Sequence, residues 1–276
     1  MANECFVGLT KKGSPPIRGI ILSIINILTR PDRAVRNRRL RHAGIVPSDF
    51  YAYNLPWLVA QKFSVVLDIG AARGTHTLLL RRLFPNARIL AFEPLPESFT
   101  ELRRRTQGLP NIECHQCALS DQEGLMDLHL GGPGYADSSS LLPMGSTHRE
   151  LFPGSGTDQS VKVQTRCLDS LFEVMGNERV FVKMDVQGGE ILALNGGVKA
   201  FSLVDTMVVE TSMRSLYVGG AVFHDLYKKM YSLGFDYAGV LEQAFSSLRN
   251  GEVIQSDVIF RRRVGNPLSR IVKSPG

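Results

Sequence analysis

The chain of 276 residues holds only four cysteines, Cys5, Cys114, Cys117 and Cys167, too few to staple a protein of this length as a disulfide scaffold. A reducing compartment, the cytoplasm, is the default expectation. Cys114 and Cys117 match C-x-x-C, but no second such pair exists, and both fall in Ile112–Leu119, which reads as a strand. Residues three apart on a strand face opposite ways, so buried structural thiols are expected rather than a chelated metal. Nor is there an apolar run of the roughly 20 residues that a membrane span needs. The apolar segment Ile17–Leu28 is about half that length and has no small-residue cleavage site after it, which argues against a spanning helix or a signal sequence. Net positive charge is confined to the beginning: residues 1–50 hold nine Lys/Arg against three acids, and residues 51–276 hold 23 of each. A neutral body lacks the basic stripe that tracks phosphates, so nucleic acid is an unfavoured partner. The basic arm, 1–55, is expected to pack as a helix with a solvated charged face. The other reading is peripheral contact with an anionic membrane through residues 11–41, where Lys11, Lys12 and Arg30 to Arg41 flank the apolar segment.

What is present centres on Val65–Thr77. An aliphatic run breaks at Gly70, passes through Ala71, Ala72, Arg73 and Gly74, and resumes as Thr75 to Arg82. This predicts buried strand, tight turn and helix, a cradle for a nucleotide-like ligand at the helix N-terminus. The dinucleotide fingerprint G-x-G-x-x-G is absent, so a pyrophosphate is not the expected guest. Glu93 follows Gly70 by 23 residues, at the end of Arg88–Glu93. An acid there is placed to accept hydrogen bonds from ribose hydroxyls. An adenosine ligand without pyrophosphate points to S-adenosylmethionine.

The ordered motifs Asp68–Thr77, Ala91–Pro94, Ala118–Asp121 and Val182–Glu190 resemble those of the FkbM family of S-adenosylmethionine-dependent O-methyltransferases, over roughly Phe63 to Arg263. The resemblance implies a Rossmann-like, doubly wound α/β sheet of seven strands, the class I methyltransferase fold. It implies cofactor contacts from Asp68, Gly70, Ala71, Gly74, Thr75, Glu93, Ser120 and Asp121. It also implies a hydroxyl acceptor on a sugar, a glycan or a natural product. Two positions depart: Ala72 stands where the family usually has Asn, and Gln187 where it usually has Glu.

Alternating strand and helix patterns over residues 56–263 predict a parallel sheet. The strands read as 63–69, 88–93, 112–119, 180–185, 204–210, 235–240 and 256–262, with helices at 75–84, 96–107, 189–201 and 221–233. Leu125–Leu130 and Ser160–Arg166 read as two extra strands, paired as a hairpin. The glycine- and proline-rich stretch 131–159 between them reads as a lid insertion over the acceptor, and 264–276 as a tail. Asp185 and Glu210 are expected to end adjacent strands across the switch point from Glu93. Methyl transfer to an aliphatic hydroxyl needs alignment and a proton acceptor, and Asp185 is the leading base. Glu190 and Glu210 are expected to support it, with Lys183 as its partner. His76, His148 and His224 are rival bases, and Asp185 with Glu210 could instead hold a divalent ion. A nicotinamide oxidoreductase and a non-catalytic S-adenosylmethionine-binding protein at the membrane are the competing functions. Base or exocyclic-amine methylation is disfavoured, because Asp185-Val186-Gln187-Gly188 replaces a Pro-Pro-aromatic motif.

Overall fold

The structure, a computed structural model, describes residues 56–173, 178–246 and 251–263. The expected basic arm, 1–55, and tail, 264–276, therefore lie outside the described residues, which begin with a short helix, α1 (Pro56–Ala60).

Val65–Ile69 (β1) is buried along its whole length, as a run of four aliphatic residues and one acid must be when helices cover both faces of a sheet. The elements follow as α2 (Thr75–Leu83), β2 (Arg88–Phe92), α3 (Pro96–Thr106), β3 (Ile112–His115), β4 (Ala118–Leu119), β5 (Gly124–Gly131), α4 (Ser146–Leu151) and β6 (Gly156–Arg166). Then come β7 (Val180–Met184), α5 (Glu190–Asn195), α6 (Val198–Ser202), β8 (Thr206–Ser212), α7 (Phe223–Ser232), β9 (Phe235–Ser246) and β10 (Glu252–Arg262). The seven-stranded sheet has the order β3-β2-β1-β7-β8-β10-β9. The first five run parallel and β10 is antiparallel to both of its neighbours. Strand order reverses between β1 and β7, and the crevice at their carboxyl ends is where open α/β sheets bind ligands. This is the seven-stranded class I methyltransferase architecture that the sequence implies. The main core packs Leu67, Phe92, Val182, Phe201, Met207 and Phe260 beneath the crevice.

Four expectations need correction. The strand expected over 112–119 stops at His115, because the chain folds back at Gln116, where Cys117 N–H donates to the His115 carbonyl at 3.1 Å. Ala118–Leu119 then joins a second, three-stranded sheet, β4-β6-β5, in which β5 and β6 form the anticipated antiparallel pair. The helix expected over 189–201 divides at Gly196–Gly197, residues with the weakest helix propensity short of proline. The closing strands β9 and β10 run much longer than expected, since each satisfies the other's backbone in a ladder. Strand β8 extends to Ser212, so Glu210 lies inside it rather than at its end; it pairs in register with Asp257 of β10.

Candidate active site at the carboxyl end of the sheet

The turn after β1 uses most of its own backbone donors. Gly70 and Ala71 N–H both donate to the Phe92 carbonyl, at 3.1 and 2.9 Å, Gly74 N–H donates to the Ala71 carbonyl at 2.9 Å, and Ala72 N–H donates to Glu93 Oε2 at 2.9 Å. Gly70 is needed for close packing: its φ is +79°, and a Cβ there would lie 1.8 Å from the Asp185 carbonyl oxygen. The end of β7 thus passes directly against the glycine turn. Helix α2 opens directly after it, with Gly74 at its N-cap, so the positive end of the helix dipole lies at this turn. Arg105 of α3 steadies this corner by donating to the Arg73 carbonyl and to Thr75 Oγ1.

Two carboxylates line the β1–β2 side. Asp68 is fully buried; its Oδ2 accepts from Thr77 Oγ1 at 2.6 Å, while Oδ1 has no hydrogen-bond partner. Glu93 accepts from Ala72 N–H on one oxygen and from Leu95 N–H on the other at 2.8 Å. Burial pushes its carboxyl up to about 7 against the pull of those two N–H groups, with the charges of Asp137 and Asp68 adding to the rise. Asp137 belongs to a 3₁₀ turn, Ala136–Ser138, so the insertion reaches this side of the crevice. Ser120 and Asp121 pair with each other at 3.3 Å, and Ser120 N–H donates to the Arg166 carbonyl beside the second sheet.

A second polar cluster sits on the β7–β8 side. Lys183 Nζ lies 3.3 Å from Asp185 Oδ2 and donates to the Gly70 carbonyl at 3.5 Å, which ties the two halves of the crevice together. Burial alone would depress the Lys183 ammonium, but Asp185, Asp68, Asp257 and Glu210 outweigh it and raise its pKa. Asp185 ends up below the usual carboxylate range: Lys183, the Gln187 amide, His76 and a hydrogen bond from Glu210 overcome its burial. Glu210 moves the other way, lifted well above the ordinary value by burial and by Asp185, Asp257 and Glu190. Of the two, Asp185 is the one that ionises more readily.

Gln187, on which the sequence placed no role, joins these groups. Its Nε2 donates to Asp185 Oδ1 and to Glu210 Oε2, each at 2.7 Å, and its Oε1 accepts from the Tyr217 hydroxyl at 2.8 Å. Gln255 Nε2 is a second donor to Glu210 Oε2, at 3.0 Å. The insertion docks on the same turn, with Ser140 Oγ donating to the Gln187 carbonyl at 2.7 Å and Tyr217 OH reaching the Ser138 carbonyl at 3.0 Å. The only advance sign of Gln187 was its departure from the family pattern, and Tyr217 gave none.

The other sequence-derived candidates divide clearly. Glu190 is buried with its Oε1 accepting from Val186 and Gly188 N–H, so it holds the 186–188 turn, and burial pushes it up to about 7. His148 is enclosed in the insertion, its Nδ1 3.0 Å from Ser155 Oγ and its ring against Phe152 and Tyr217. His224 is exposed on α7. His76 contributes charge to Asp185 from the start of α2. Among the described residues no group of three or more His, Cys, Asp or Glu is arranged to hold a metal ion.

The sequence profile of the Methyltransferase FkbM domain matches residues 68–237, from the glycine turn to the start of β9. The chain belongs to the FkbM methyltransferase family. It is 30% identical over 160 residues to 2-O-methyltransferase NoeI of Sinorhizobium fredii, covering 56% of this chain and 66% of that one. It is 30% identical over 159 residues to Methyltransferase 1 of Beauveria bassiana, covering 53% and 64%. The chain thus spans just under two thirds of each of these relatives. Among solved structures, the N-terminal domain of EvdMO1 with SAH bound matches with a TM-score of 0.45 at 15% identity, covering 79% of this chain and 81% of that one. With family membership the nicotinamide alternative loses its basis. The cradle suits S-adenosylmethionine: the ligand offers hydroxyl and ammonium donors and a cationic sulfonium, and the walls offer acceptors, among them the orphaned, buried Asp68 Oδ1.

Proposed function

We propose that this FkbM-family protein transfers a methyl group from S-adenosylmethionine to a hydroxyl of a sugar, glycan or natural-product small molecule. The observation that carries this reading is the packing of the Asp185 backbone carbonyl against Gly70, with Lys183 bridging the Gly70 carbonyl and the Asp185 carboxylate at the border of the cofactor turn. Glu93 and the first turn of α2 would hold the adenosine end, and Asp68 the ammonium end. When bound, the cofactor supplies a methyl on a sulfonium that departs as a neutral thioether.

Asp185 receives the acceptor's proton. A carboxylate with a low pKa is a poor base toward a neutral alcohol, but the oxygen becomes strongly acidic as its bond to carbon forms. Late proton transfer to Asp185 then balances the charge, because the sulfonium's positive charge leaves with the proton. Positioned bases of this kind contribute about 10²–10⁴ in rate. Lys183 fixes the carboxylate, Glu210 backs it, and the insertion 131–159 covers the acceptor.

The test is transfer of a labelled methyl from S-adenosylmethionine to a panel of methyl pyranosides of fucose, rhamnose and glucose and hydroxylated polyketide lactones. Label in an alkali-stable ether is the expected result. Cofactor binding without transfer to any hydroxyl would favour the non-catalytic alternative and overturn the proposal.

A further inference from the structure

We propose that Gln187 is a positioning residue for methyl transfer, its side-chain amide, locked by Tyr217, clamping the Asp185 and Glu210 carboxyl groups in one fixed arrangement. The inference rests on Asp185 acting as the proton acceptor. Both hydrogens of Nε2 are committed, one to each carboxyl group at 2.7 Å, and the amide oxygen is held by the Tyr217 hydroxyl at 2.8 Å. The carboxylate of Asp185 accepts only, which turns Nε2 toward it, while the single Tyr217 O–H proton is shared between the amide oxygen and the Ser138 carbonyl.

The backbone shows that this arrangement is imposed. Gln187 has φ +55°, a left-handed conformation that costs a side-chain-bearing residue free energy and persists only where its surroundings fix it. Tyr217 and Ser140 supply those surroundings: the tyrosine ring packs so closely that a Cβ on Gly188 would lie 2.8 Å from its Cδ2, and Ser140 Oγ holds the Gln187 carbonyl at 2.7 Å. A residue serving only to shape the turn would be glycine or asparagine, which tolerate this φ. The strained glutamine is explained by what its amide touches.

The charged groups facing the clamped pair come from every side: Lys183 on β7, His76 at the start of α2, Glu190 on α5 and Asp257 on β10. Acids outnumber the one lysine. The two N–H donors of Gln187 are thus the neutral means by which the pair is kept from swinging apart. A glutamate at this position would remove both donors and add a third acid. Both changes favour protonation of Asp185.

The test uses the full chain and whichever hydroxyl acceptor of the panel is turned over, with Gln187→Glu, Gln187→Ala, Tyr217→Phe and the Gln187→Ala/Tyr217→Phe double variant. Each Gln187 variant is expected to bind S-adenosylmethionine within threefold of wild type while kcat falls at least tenfold at pH 7. In Gln187→Glu the acidic limb of the kcat profile should move upward by at least one pH unit. Tyr217→Phe should lower kcat about threefold in the wild-type background and by a smaller factor in Gln187→Ala, where only its bond to the Ser138 carbonyl is left to lose. An unmoved acidic limb in Gln187→Glu, or additive effects of the two substitutions, would overturn the inference. If the Gln187 variants do not fold, unchanged kcat in the folded Tyr217→Phe variant overturns it instead. Absence of methyl transfer by the wild type would refute the underlying reading, whereas wild-type turnover with a normal Gln187→Glu profile refutes this inference alone.

Discussion

Glu93 offers a sharp test of the cofactor half of the site, because its ionisation and its ligand role are linked. In the free protein burial lifts the carboxyl to about 7, so at pH 6 most molecules carry it neutral. Ribose hydroxyls donating to an anion favour the ionised form, each such hydrogen bond being worth about 1.5–3 kcal/mol. Binding therefore draws the pKa back down and releases a proton. The sign follows: affinity for S-adenosylmethionine should weaken about tenfold between pH 8 and pH 6, a penalty of about 1.4 kcal/mol per unit below the free-state pKa. Glu93→Gln keeps the shape but carries one acceptor oxygen, so either Ala72 N–H or Leu95 N–H loses its partner as well. We expect the variant to bind at least 30-fold more weakly, close to 2 kcal/mol at 1.4 kcal/mol per tenfold, and to lose the pH slope. Titration calorimetry at pH 6, 7 and 8 in buffers of different ionisation heat reads affinity and proton release together. A flat wild-type profile, or a Gln variant that keeps the slope, would refute the assignment.

Two further outcomes concern stability. Glu190 is also held at about 7 by burial, so its neutral form favours folding: its contribution is complete below the unfolded value of 4.5 and is lost as pH rises through 7. Glu190→Gln, which keeps an acceptor for Val186 and Gly188 N–H, should gain about 2–3 kcal/mol relative to wild type between pH 5 and pH 8 in urea unfolding; equal slopes would contradict this. Ala72 sits at φ +47°, a conformation costing about 1 kcal/mol for a residue with a Cβ, so Ala72→Gly should raise the melting temperature by about 2–4 °C, and a fall would show that the turn is not strained.

The sheet was legible in the sequence because β1, β2 and β7 are covered on both faces and read as continuous apolar runs flanked by turn residues. The fold-back at Gln116 was not. Cys117, Ala118 and Leu119 remain apolar after it, and only their partner β6, far along the chain, shows that they belong to another sheet. In the site, Asp68, Glu93 and Asp185 could be placed from their positions at strand ends. The internal use of the Gly70, Ala71 and Ala72 N–H groups could not, since it depends on where Phe92 and Glu93 arrive. Gln187 was hidden for a similar reason: an amide after a strand acquires meaning only once Glu210 from β8 and Tyr217 from the following loop stand beside it.

The claim that the β7–β8 carboxylates do the chemistry rests most directly on Asp185. Asn at this position preserves size and one acceptor oxygen but takes no proton at neutral pH. Single-turnover methyl transfer with labelled S-adenosylmethionine, alongside calorimetric binding, separates the chemical step from cofactor affinity. Asp185→Asn should bind the cofactor within about threefold of wild type and transfer methyl at least about 10²-fold more slowly, the share expected of a general base. Transfer at near the wild-type rate would remove Asp185 from the mechanism.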